Sequence, residues 1–210
     1  MTFENIKQQI ENGVVTFENA HISDDGRVNS ILDEKSIIEY LKAIFPGHVV
    51  EAPQERYWYD VALRFGDEFY PINIKSSTGE SADNISSKGG LLYAVTGIDP
   101  STRYIVPFAN FEEALYDNID YNGTSDYYFV VFFKNSHQLL FTSLKRINTL
   151  VPNGNNLPFQ CKWRDNIQPT TRSNTEQIDY LISMYVQSVM KKLNSHARTM
   201  ERYFGGRQIA

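Results

Sequence analysis

The spacing of apolar residues predicts helices at both ends of the chain and strands between them. Apolar residues recur every three or four positions at 3–12, 28–45 and 110–118, which is typical of amphipathic helices. Ser173 and Glu176 are spaced as a capping box ahead of one long final helix. The apolar stripe predicted for that helix is Ile178, Leu181, Ile182, Tyr185, Val189 and Leu193.

Alternating or continuous apolar runs predict strands at 49–53, 57–65, 68–76, 126–134, 138–143 and 157–163. The second and third are separated by Gly66-Asp67, which predicts a tight antiparallel hairpin. A polar stretch at 76–90 leads into a short helix or turn. The order of elements indicates an α/β (α+β) fold with a mixed central β-sheet, flanking helices and a long C-terminal helix. We expect a single domain covering 1–210.

Composition and charge narrow the function classes. The longest apolar run, at 128–133, is far too short to span a membrane, and the single cysteine, Cys161, indicates a reducing, cytoplasmic setting. The formal charge of −5 argues against indiscriminate coating of nucleic acid, but 151–210 holds eight Lys/Arg against four acids. A basic end on an acidic body fits local contact with a polyanion. No P-loop or dinucleotide fingerprint is present, so we expect no organic cofactor.

A candidate metal site lies on the predicted hairpin. Asp60 belongs to one strand, and Asn73 and Lys75 share one face of the next. Glu34, on the apolar side of the preceding helix, can reach the same place. Carboxylate and amide oxygens suit Mg²⁺, which takes only one or two protein carboxylates. Because an Asp and a Lys on neighbouring strands also form ordinary surface ion pairs, spacing alone leaves both interpretations open.

The arrangement of Glu34, Asp60 and "INIK" resembles the PD-(D/E)xK nuclease core. The stretch "HVVEAPQERYWYDVAL…YPINIKSS…GG" resembles the EcoRV-like type II restriction endonucleases, in particular a branch in which Asn precedes the lysine. The similarity covers roughly 27–100, including "ADN" and Lys88 to Gly97, and "TTRSNTEQIDYL" is a looser match before the last helix. It implies a restriction-endonuclease-like domain with a catalytic core at about 28–100, and DNA recognition together with the C-terminal helix at about 150–210.

The resemblance assigns a role to each matched residue. Asp60 is the central metal ligand, Lys75 orients the attacking water and stabilises charge on the phosphate, and Glu34 is the helix acid, with Asp33 as its competitor. Tyr59 replaces the motif's proline, and Asn73 replaces its second acid, which removes a negative charge. Either the site works with fewer charges, or the chain is catalytically impaired, or another acid substitutes; the candidate acids are Asp83, Glu80 and Glu68.

DNA recognition requires side chains that reach base edges or phosphates. Residues 53–59 offer Gln54 and Arg56, and the loop 162–174 resembles a recognition loop in position. The candidates in that loop are Lys162, Arg164, Asn166, Gln168, Thr170, Thr171 and Arg172. The candidates for phosphate contact are Ser76, Ser77, Ser86, Ser87 and Lys88.

The resemblance implies a Mg²⁺-dependent homodimeric endonuclease that cleaves double-stranded DNA at a short palindromic site and leaves 5′-phosphates. Three alternatives stay open: a repair or junction endonuclease of the same fold, a specific DNA-binding protein disabled by Asn73, and a domain without DNA affinity.

Overall fold

The computed structural model describes residues 1–13, 26–54, 57–85, 87–102, 107–154 and 158–205, with only the backbone given for 26–32, 108 and 204. Arg56 and Ser86 lie outside these ranges. Within the described residues the chain forms five α-helices: α1 (Phe3–Glu11), α2 (Gly26–Ile44), α3 (Lys88–Thr96), α4 (Phe108–Tyr116) and α5 (Asn174–Phe204). The helices expected at both ends of the chain and around 110–118 are therefore confirmed.

A mixed five-stranded sheet forms the centre of the described structure. Its strands are β1 (Val49–Glu51), β2 (Val61–Phe65), β3 (Glu68–Ser77), β5 (Tyr128–Phe133) and β6 (Gln138–Ser143), and their order is β1-β2-β3-β5-β6. All neighbours are antiparallel except β3 and β5, which are parallel because helices α3 and α4 connect them. A second, three-stranded sheet contains β4 (Asp83–Asn84), β7 (Val151–Pro152) and β8 (Phe159–Cys161).

The two faces of the central sheet pack against different helices. Ile72 and Ile74 of β3 face a core formed with α1 and α2, whereas Ala62, Phe129 and Val131 of the neighbouring strands face a core formed with α3, α4 and α5. Since successive side chains alternate across a strand, the odd-numbered positions of β3 share the second face. Asn73 and Lys75 therefore lie on the same side of the sheet as α3.

The predicted hairpin is confirmed. Phe65 pairs with Glu68 across the two-residue turn, and Gly66 has a φ of 63° that favours glycine. The first strand is shorter than predicted, because it begins at Val61 rather than at residue 57. In the segment 57–60, the Trp58 carbonyl accepts a hydrogen bond from Tyr127 Oη at 2.8 Å instead of pairing with a strand.

Helix α5 differs from its prediction in one respect. Ile178, Leu181 and Tyr185 are buried as expected, but Leu193 is 56% exposed. Every side chain of the helix from Leu193 to Tyr203 is exposed, so Leu193 has no described core beside it.

The capping box of α5 gives a stability prediction. Ser173 Oγ accepts from the Glu176 N–H, and the Glu176 carboxylate accepts from the Ser173 N–H at 2.8 Å. We expect Ser173→Ala to lower the free energy of unfolding by about 1 kcal/mol, measured by denaturant unfolding. Ser195→Ala, at an exposed position of the same helix, should change it by less than about 0.5 kcal/mol. Equal losses in the two variants would contradict the capping role.

Candidate active site

The β2–β3 pairing brings Asp60 next to Asn73. Val61 pairs with Ile72, and the backbone N–H of Asp60 donates to the Ile72 carbonyl at 2.9 Å. Continuing this register by one residue places Asp60 opposite Asn73. The Ile74 N–H also donates to Asp60 Oδ2 at 2.7 Å. The Asp60 carboxylate is therefore fixed against the backbone of β3.

Lys75 lies two positions further along the same face of β3. Burial lowers the pKa of its ammonium, and the negative charges of Asp60, Asp83 and Glu34 oppose that effect. None of the ion pairs found among the described residues includes Lys75. Three carboxyl groups thus act electrostatically on one buried ammonium without a direct ion pair.

The two candidate helix acids, Glu34 and Asp33, have different partners in the structure. Burial raises the pKa of Glu34, repulsion from Asp60 raises it further, and Lys75 opposes both effects. Asp33 instead accepts a hydrogen bond from the Ser76 hydroxyl and lies 4.0 Å from Lys134 Nζ. Ser76 faces the opposite side of β3 from Lys75. Of the two, Glu34 is the acid that interacts electrostatically with Asp60 and Lys75.

Asn73 has an unsatisfied acceptor. Its amide hydrogen-bonds Tyr127, while its Oδ1 is buried and meets no donor among the described groups. Leaving a buried acceptor unpaired costs about 1–3 kcal/mol. A cation or a water bound at this position would satisfy the oxygen.

Of the three acids proposed as substitutes for the missing carboxylate, Asp83 is the one that interacts electrostatically with Lys75. It pairs with Cys161 in the small sheet, its Oδ2 is buried without a described donor, and its charge acts on Lys75. Glu80 forms an ion pair with Arg164 instead. Glu68 lies at the opposite end of β3, where it binds the N-terminal ammonium at 2.9 Å.

The oxygen donors of this site suit Mg²⁺ better than a softer metal. No three His, Cys, Asp or Glu side chains of the described chain converge in the geometry of a metal centre. The candidate ligands of this region, Asp60, the Asn73 amide and either Asp83 or Glu34, all offer hard oxygen donors. Mg²⁺ keeps several waters and needs few protein ligands. The unpaired oxygens of Asn73 and Asp83 fit that requirement.

Tyr127 supports the site and was missed by sequence reasoning. It is fully buried, and its hydroxyl bonds the Trp58 carbonyl and the Asn73 side chain. Gly90 of α3 permits this packing, because a Cβ there would lie 2.7 Å from the Tyr127 ring. The sequence indicated this packing through the adjacent Gly89 and Gly90 of α3. Glycine within a helix lowers stability, so a pair of them suggests that another group approaches the helix closely.

The loop at 162–174 contains both engaged and exposed side chains. Asn166 is buried; its Oδ1 accepts from Asn148 and Thr149, and its Nδ2 donates to two carbonyls. Arg172 donates to Asn148, Thr170 and Gln177 and stacks 3.9 Å from the Tyr180 ring. Both side chains therefore stabilise the loop, and their hydrogen-bonding groups already have partners within the protein.

The other described DNA-contact candidates belong to several different segments of the chain. Gln54, Lys162, Gln168 and Thr171 are exposed. Arg164, also exposed, pairs with Glu80. The phosphate candidates of β3 are already engaged, because Ser76 donates to Asp33 and buried Ser77 accepts from the Gly79 N–H at 3.0 Å.

The remaining phosphate candidates lie at the start of α3. Ser87 caps that helix, and Lys88 lies 5.6 Å from the Phe111 ring, next to α4 rather than beside Asp60. The structure thus brings Glu34, Asp60 and Lys75 within electrostatic reach of one another, with Asn73 on the same face of β3 as Lys75. The described DNA-contact candidates lie on different elements of the fold.

The sequence was compared with known proteins. No family model matches it, and no curated protein is significantly similar to it. None of the described helices has both the length and the apolar character that crossing a bilayer requires.

The close approach of Gly90 to Tyr127 can be tested by substitution. Because a methyl group would clash with a buried ring, we expect Gly90→Ala to lower the free energy of unfolding by about 1–3 kcal/mol, measured by chemical denaturation. Tyr127→Leu removes the ring atoms nearest the new methyl. In that background Gly90→Ala should cost much less, and an equal cost in both backgrounds would contradict the proposed clash.

Proposed function

We propose that this protein is a Mg²⁺-dependent type II restriction endonuclease. The observation that carries the proposal is the grouping of Asp60, Asn73 and Lys75 on one face of β3, the central strand of the mixed sheet, with Glu34 of α2 acting electrostatically on Asp60 and Lys75. That grouping joins the residues on which the resemblance to the PD-(D/E)xK nucleases rests. The proposal includes a restriction-endonuclease-like fold, double-stranded DNA with a short palindromic site as substrate, a homodimer, 5′-phosphate products, a cytoplasmic setting and no organic cofactor.

Each residue has a role that follows from its surroundings. Asp60, held by the Ile74 N–H, would bind the metal with its carboxylate in a fixed orientation. Asn73 and Asp83 would contribute the two buried oxygens that lack described donors. Mg²⁺, when bound, supplies charge to the scissile phosphate and lowers the pKa of a water.

Lys75 would act on the phosphate. Its ammonium is under the influence of three carboxyl groups but forms none of the ion pairs found among the described residues, so its N–H groups would be able to orient the attacking water and stabilise charge that develops on the phosphate oxygens. Glu34, whose pKa is raised by burial and by Asp60, would be the third carboxyl group acting on Lys75. Each of these groups is buried or half-buried, which strengthens its electrostatic effect.

A second candidate function is specific DNA binding without cleavage. It is favoured by Asn73, because an amide in place of a carboxylate weakens metal binding. Asp83 supports the nuclease proposal instead, since a carboxylate next to Lys75 replaces the missing charge. A repair or junction endonuclease would use the same residues and would differ in its substrate.

Digestion of a large unmethylated DNA in Mg²⁺ tests the nuclease proposal. We expect discrete fragments with the wild-type protein, none with EDTA, and a loss of at least about a hundredfold in rate for Lys75→Ala. Lys42→Ala is the matched control, because Lys42 pairs with Glu39 and Glu51 on the surface. Fragment-specific binding in Ca²⁺ without cleavage would favour the DNA-binding alternative. Neither binding nor cleavage would contradict both proposals.

The contribution of Asp83 can be separated from that of Asn73. We expect Asp83→Asn to raise the Mg²⁺ concentration needed for half-maximal cleavage by about tenfold or more, because it removes a carboxylate ligand. Asn73→Asp should lower that concentration. Glu80→Gln, which changes a nearby exposed acid, should leave it unchanged. Normal Mg²⁺ dependence in Asp83→Asn would show that Asp83 is not a ligand.

A further inference from the structure

The outer half of α5, residues 186–203, carries a second apolar stripe that is not part of the described core. Val186, Met190, Leu193 and Met200 are between 51% and 56% exposed, and Tyr203 is 62% exposed. Ala197 is also exposed, and it completes a series with Val186, Met190, Leu193 and Met200 in which the intervals are four, three, four and three residues. This is the heptad spacing of a helix that pairs with another helix.

Most charged residues of this helix half lie off the stripe, and Glu201, four residues after Ala197, borders it. Lys191 and Arg198 lie on other sides of the helix, given its 3.6-residue turn, and Lys191 Nζ bonds the Pro152 carbonyl at 3.1 Å. Arg202 lies 5.5 Å from the Tyr203 ring, so it accompanies Tyr203 to the end of the contact, whereas Lys191 and Arg198 lie outside the apolar stripe.

An apolar cavity of about 280 Å³ adjoins the stripe. It lies between α4 and α5 and is lined by side chains that include Leu115, Tyr116, Val186, Val189 and Met190. Tyr116 is 79% exposed at its edge. The cavity has room for an aromatic ring from a partner.

We propose that the outer half of α5 pairs in antiparallel orientation with the same half of a second copy of this chain. Centring the pair between Leu193 and Ala197 places Leu193 of each copy opposite Ala197 of the other, and Met190 opposite Met200. Large residues then face small ones at the centre, where the helices can approach closely. In the same alignment Tyr203 of the second copy falls beside Val186 and Val189, at the mouth of the apolar cavity.

A parallel pair lacks this complementarity. It would stack Ala197 on Ala197, which leaves a gap, and would direct Tyr203 away from the cavity at Val186. Five apolar side chains per copy, at roughly 100 Å² each, bury on the order of 1,000 Å² across the pair, the lower limit of a specific interface. The pairing concerns a surface separate from Lys75, so it stands whether or not the protein cleaves DNA.

Sedimentation analysis of the full chain tests the interface. We expect wild-type protein to be a dimer, and Leu193→Glu to weaken dimerisation by about a hundredfold or more, because two leucine contacts are lost per dimer. Arg198→Glu reverses a charge on another side of the helix and should leave the dimer intact. A monomeric wild type, or a dimer insensitive to Leu193→Glu, would overturn the proposal.

Single cysteines test the orientation, since the native Cys161 is buried. A mixture of Met190→Cys and Met200→Cys proteins should form a mixed disulfide on mild oxidation, and Met190→Cys alone should not crosslink. Efficient crosslinking of Met190→Cys with itself would indicate parallel pairing and overturn the antiparallel arrangement.

Discussion

The register between β2 and β3 determines what the candidate site contains. A slip of one residue would turn Asn73 and Lys75 into the core at α1 and α2, and would bring Ile72 and Ile74 to the face of α3. Two features fix the register: the two-residue turn at Gly66, and the hydrogen bond from the Ile74 N–H to Asp60 Oδ2. The bond that holds the central carboxylate in place therefore also helps to hold the strands that carry the site.

The sequence predicted those parts of the fold that depend on local spacing. The hairpin, the shared face of Asn73 and Lys75, and the capping box at Ser173 all follow from periodicity or turn chemistry and are present in the structure. The start of β2 was predicted four residues too early, because a tertiary contact from Tyr127 removes Trp58 from the strand. Periodicity contains no information about such a partner.

Site residues were harder to predict where long-range contacts decide their role. Both Asp33 and Glu34 fit the helix pattern, and only the packing of α2 against β3 assigns Asp33 to Ser76 and Glu34 to Lys75. Asn166 and Arg172 have the side chains expected of base-reading residues. Their internal partners, at positions such as Asn148, are far away in sequence, so the pattern could not reveal that these groups were already occupied.

The balance of charge gives a physical reason for an amide at position 73. Glu34, Asp60 and Asp83 all act on Lys75, so when all four groups are ionised they carry a net charge of about −2, which one divalent cation neutralises. A fourth carboxylate at position 73 would be buried next to Asp60 and would increase the repulsion that already raises the pKa of Glu34. With Asp83 supplying the additional charge from the small sheet, Asn73 adds an oxygen without adding repulsion. In the proposed nuclease, the carboxylate that the motif places at position 73 of the central sheet is therefore replaced by Asp83 of the three-stranded sheet.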